Sequence, residues 1–125
     1  MPDKIIMTRE EAEQYHWLVS EIAMCKRSLI AIEADEKQWK HSPSTLKELA
    51  ETRSLLEKRI KKCQEKCERF EMWLAGVSDP QVQEWLYARC VEGLSWTQIA
   101  IQDGHMSVDA IRRRVGRYFE KEAAK

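Results

Sequence analysis

From Thr8 to Lys40 apolar side chains return every three or four positions: Tyr15, Leu18, Ile22, Cys25, Leu29, Ile32 and Trp39, with Glu36 standing where another is expected. A second run carries Leu46, Leu49, Leu56, Ile60, Cys63, Cys67, Phe70 and Leu74, interrupted by Arg53. Alternating steps of three and four lay an apolar stripe along one side of a helix. Thr8 with Glu11, and Thr45 with Glu48, each have the spacing of a capping box. The pattern therefore predicts helices over residues 8–40 and 45–75, each about 45–50 Å long at 1.5 Å per residue. No glycine precedes Gly76, and His41-Ser42-Pro43-Ser44 is the only break between them. So short a link makes the helices antiparallel neighbours, with Trp39 near Leu46, Leu29 near Leu56 and Ile22 near Cys63.

After Gly76-Val77-Ser78 the punctuation changes. Asp79 is a suitable N-cap with Pro80 at the first helical position, which predicts a helix over 80–92 that buries Val82, Trp85, Leu86 and Cys90 or Val91 and ends at Gly93. Ser95 caps a short helix with Ile99 and Ala100, and Asp103-Gly104 stops it. Ser107 then caps a last helix whose seam is Val108, Ile111, Val115 and Tyr118, with Phe119 beside it. At 100° per residue this turns Asp109, Ala110, Arg113, Gly116 and Arg117 outward, with Arg112 and Arg114 on the flanks. The expected fold is all-α. Residues 1–75 form an antiparallel helical hairpin of coiled-coil type, an arm for oligomerisation or a partner. Residues 76–125 form a three-helix unit with two helices joined by a sharp turn.

Composition adds little until it is resolved along the chain. Formal net charge over the 125 residues is zero, so global basicity does not advertise nucleic acid. From Ser107 to Lys121, however, five basic side chains face two acidic ones, a local excess suited to an anionic partner. The basic residues of the second long helix alternate with glutamates and read as a solvated flank. Met1-Pro2-Asp3-Lys4 does not open an export leader, and no apolar run reaches membrane-spanning length. With Cys25, Cys63, Cys67 and Cys90 unpaired by any CxxC spacing, this points to a reducing cytoplasm. Zinc on Cys63 and Cys67 lacks two further ligands, since His16, His41 and His105 are not at ligand spacing. Phosphate loops and the usual hydrolase signatures are absent, so neither an enzyme nor a cofactor is expected.

The stretch Arg89-Cys90-Val91-Glu92-Gly93-Leu94-Ser95-Trp96-Thr97-Gln98-Ile99-Ala100, followed by Ile111-Arg112-Arg113, resembles the helix-turn-helix of sigma-factor region four. It is most similar to small phage and prophage transcription regulators of the ArpU and RinA kind. The specific motif spans about residues 85–119. One residue is extra: His105 and Met106 both stand between Gly104 and the Ser107 cap. The resemblance implies a DNA-binding transcription regulator of phage late or packaging genes, acting in the cytoplasm of a bacterial host. Double-stranded DNA is then the partner, and the hairpin a homodimer interface.

On that reading Arg113 and Arg117 face base edges, where arginine pairs bidentately with guanine. Arg112 and Arg114 hold phosphates, and Ser107 offers a phosphate its hydroxyl and the helix N-terminus. Asp109 favours the helix dipole or accepts from a cytosine amino group, and Ala110 lies on the same face. Two alternatives remain open: a sigma-like protein that docks on RNA polymerase, and a DNA-packaging subunit of the small-terminase kind.

Overall fold

The computed structural model describes residues 5–124; Met1-Pro2-Asp3-Lys4, read above for a leader, lies outside them. Every regular element among the described residues is helical: α1 (Arg9–Glu13), α2 (Tyr15–Gln38), α3 (Pro43–Ala75), α4 (Pro80–Leu86), a π-helical turn (Tyr87–Val91), α5 (Trp96–Asp103) and α6 (Val108–Ala123). None of these helices is long and apolar enough to cross a membrane. The described residues form two compact units, one of residues Trp17–Cys67 and one joining residues 5–16 with residues 68–124. That division differs from a boundary at residue 76. The first turns of the chain and the end of α3 belong with the C-terminal helices.

In the Trp17–Cys67 unit, two ion pairs report the direction of the helices. Glu36 pairs with Arg53, and Glu21 with Arg59. A higher position on α2 thus meets a lower one on α3, so the two strips run antiparallel. Glu36 and Arg53 are the two residues that interrupt the apolar runs, and each neutralises the other. Leu18, Cys25 and Ile32 are buried on α2, and Ile60, Cys63 and Cys67 on α3. The alternate seam positions Ile22, Leu29, Leu49 and Leu56 are only half-buried.

Two expectations fail at the connection. α2 stops at Gln38, short of the expected residue 40, which leaves Trp39 in the turn and 49% exposed. α3 starts at Pro43, so Thr45 lies inside the helix. Ser42 takes the capping place: its carbonyl accepts from Leu46 N–H, and its hydroxyl donates to Thr45 Oγ1 at 2.9 Å. Proline suits that first position because it has no N–H to leave unsatisfied.

In the second unit Thr8 and Glu11 form the expected capping box. The helix nevertheless closes at Gln14, whose N–H bonds back to the Glu11 carbonyl, so one helix over 8–40 becomes two. The break lets α1 serve this unit's core. Ala12 is fully buried and Met7 nearly so, while Arg69 reaches Glu11 at 2.6 Å and the Ile6 carbonyl. Tyr15 packs on Phe70 with ring centroids 4.6 Å apart. Trp73 stacks on Phe119 at 5.2 Å and meets Tyr118 edge-on. These rings join Val82, Trp85, Leu86, Ile111 and Val115 in one continuous core.

Asp79 caps α4 through Oδ1, which accepts from the N–H groups of Gln81 and Val82. The single helix expected over 80–92 then widens. Glu92 N–H bonds to the Tyr87 carbonyl and Leu94 N–H to that of Ala88, so the last turn holds more residues than an α-turn. Arg89 spans this turn, donating to Leu94 O and to Glu13 Oε1, both at 3.2 Å.

Candidate nucleic-acid interface

The approach to α5 is fixed by Gly93. Its φ of +75° is strained for any residue with a side chain, and an added Cβ would come within 3.0 Å of the His16 ring. Ser95 then starts α5 with a complete capping box, its Oγ accepting from Gln98 N–H while Gln98 Oε1 accepts from Ser95 N–H. Trp96 is buried under two guanidinium groups, Arg9 at 5.6 Å and Arg89 at 5.4 Å from the ring centre. The exposed Ile101 points away from that core.

Gly104 ends α5 in the left-handed conformation, φ +76°. The additional turn residue costs no unsatisfied backbone group. Asp103 Oδ2 accepts from both His105 N–H at 3.2 Å and Met106 N–H at 3.1 Å, an Asx turn that carries the chain to Ser107. The Ser107 hydroxyl oxygen accepts from Ala110 N–H at 3.2 Å. Its lone pairs therefore serve α6 first, leaving the O–H to donate outward.

α6 is anchored by Ile111, Val115 and Phe119, one every fourth residue, all buried. Burying three such side chains contributes roughly 1.5–3 kcal/mol each. Asp109, Arg112, Arg113 and Arg117 are exposed, and Ala110 is half-buried. Arg112, Arg113 and Arg117 form no hydrogen bond or ion pair among the described residues, so their guanidinium donors are open to solvent. Asp109 lies in the first turn of α6, where a negative charge favours the helix dipole. Gly116, expected to face outward, instead lies half-buried, with Arg9 Nη1 3.8 Å from where its Cβ would be.

Arg114 takes a different course. Its Nε and Nη2 donate to the Asp79 carboxylate at 2.9–3.2 Å, its Nη1 donates to Gln81 Oε1, and its guanidinium lies 5.5 Å over the Trp85 ring. Burial pushes the Asp79 carboxyl up, but the Arg114 guanidinium and the N–H groups of Val82 and Gln81 outweigh it, and its pKa falls below the usual carboxylate value. Arg114 thus ties α6 to the cap of α4, and the phosphate contact expected of it is not where its donors point. Nothing in local spacing signals this bond across 35 residues. Nor does local spacing signal Arg9 and Arg89 on Trp96.

All four cysteines are buried, and none is in a disulfide. Burial, with help from Glu13, pushes the Cys90 thiol up to about 12, which makes it a packing group and not a nucleophile. No cluster of three potential metal ligands occurs among the described residues. No family model, curated protein or solved structure matches the chain.

Proposed function

We propose that this protein is a sequence-specific regulator of transcription that lays α6 in the DNA major groove, in the manner of the phage and prophage regulators its sequence resembles. One observation carries the reading: Arg112, Arg113 and Arg117 stand exposed and unpaired on a helix whose opposite side is locked by Ile111, Val115 and Phe119. A helix held on its buried side presents guanidinium donors to guanine edges and phosphates with only the side chains left to order. The capped α5, the Gly104 turn and the capped α6 have the order of a helix-turn-helix. Arg113 and Arg117 read bases, and Arg112 holds a phosphate. Arg114 keeps α6 in place.

The Trp17–Cys67 unit supplies the dimer on this reading. It leaves Trp17, Val19, Met24, Ile30, Trp39 and Leu55 exposed, apolar surface that a second copy would cover.

The test begins with selection from a random duplex pool, followed by anisotropy titrations of the enriched site at several salt concentrations. Arg113→Ala should cost about 1–3 kcal/mol and relax preference at one base pair. Arg112→Ala should weaken every duplex alike and lower the salt slope by about 0.9. Failure to enrich any sequence, or identical losses on all duplexes from both variants, overturns the proposal.

A further inference from the structure

We infer that the groove between Tyr15, Phe70 and Tyr87 binds an organic cation, a small molecule with an apolar body and one ammonium group. The groove lies wholly within the unit that carries α6 and does not depend on the DNA-binding reading. Its volume is about 610 Å³, within the range of small-ligand sites. Phe70, almost fully buried, and Leu74 form an apolar floor, and Tyr87 presents a half-exposed ring at the rim.

The charge at this groove is one-sided. Glu71 and Glu84 line it, and no lysine, arginine or histidine does. Tyr15 Oη donates to Glu71 Oε2 at 3.0 Å, which orients that carboxylate beside the ring. Aromatic faces carry the negative part of the ring quadrupole, so the half-buried Tyr15 and exposed Tyr87 rings with two carboxylates favour a cation and repel an anion. Tyr87 also opens the π-helical turn, a distortion that recurs at functional sites. A neutral apolar ligand would use the floor but gain nothing from the charge of the two carboxylates.

Three probes with the same body separate these terms: 4-phenylbutylamine, 4-phenylbutanol and 4-phenylbutyrate, titrated into the full chain at neutral pH by calorimetry. The amine should bind about fivefold to tenfold more tightly than the alcohol, as expected for a cation over partly exposed rings, and the carboxylate most weakly. Glu71→Gln with Glu84→Gln, both at exposed positions, should bring the amine down to the alcohol. Tyr87→Ala should weaken the amine more than the alcohol. Equal binding of amine and alcohol overturns the inference, as does amine binding that survives the double substitution, or no binding of any probe at millimolar concentration. Amine affinity that falls as protein concentration rises also overturns it, because a side chain from a second copy would then be the occupant.

Discussion

The unit of residues 17–67 and the unit that carries α6 are held together by different means. Among the described residues the first buries six apolar side chains, three of them cysteines, whereas the second buries sixteen, including Phe70, Trp73, Trp85, Trp96 and Phe119. Aromatic rings bury far more area each than a cysteine does, and they add ring–ring attraction. A two-helix strip with a thin seam leaves too little surface removed from water to offset the ordering of its residues. The α6 unit therefore draws on the larger core, while the two-helix unit has far less burial to hold it.

The largest blow to that contrast is Trp73→Ala. It removes the ring that meets Phe70, Tyr118 and Phe119, and a loss of about 3–5 kcal/mol is expected in urea unfolding. Deleting residues 1–13 should follow, at about 2–3 kcal/mol, because it strips out buried Met7 and Ala12 and the partners of Arg69 and Arg89. An unchanged midpoint after this deletion would return the start of the chain to the hairpin. Leu18→Ala, in the thin seam, should cost about 2–3 kcal/mol, toward the low end of such substitutions. If the unit dimerises, its melting temperature should also fall on dilution.

The smallest effect expected is at Asp79. Asp79→Ala should cost about 1–2 kcal/mol as a lost cap, and Arg114→Ala should mimic part of that loss. Asp79→Asn isolates the charge. The Asp79 pKa is lower folded than unfolded, so its contribution is complete above the unfolded value near 3.9 and is lost as pH falls through the folded one. The stability gap between wild type and Asp79→Asn should therefore be full at pH 7 and close below about pH 4. A gap that persists in acid would mean that the carboxylate charge is not what Arg114 needs.

Much of the fold was legible because it is local. Caps at Thr8, Asp79, Ser95 and Ser107, the Gly104 stop and the Ile111–Phe119 seam each follow from residues a few positions apart. The misses need distant partners. No glycine or proline marks Gln14, so the sequence could not show that the first helix closes there and that Tyr15 leaves the long stripe to pack on Phe70. Likewise, four arginines on one helix look alike until Asp79, far away in sequence, claims one of them. Glu36 and Arg53 were visible as blemishes in two stripes, but only the pairing of those stripes turns them into a match.

The widened turn from Tyr87 to Val91 sets where the chain leaves the α4 axis. One surplus residue in a helical turn amounts to about 100° of rotation; just beyond this turn Gly93 meets the His16 ring, and within it Arg89 donates to the carbonyl of Leu94. Excising a single residue from this turn would shorten the chain by less than one per cent. It would also change the direction in which the chain leaves α4 toward the Ser95 cap, so a single residue there decides how α5 is entered.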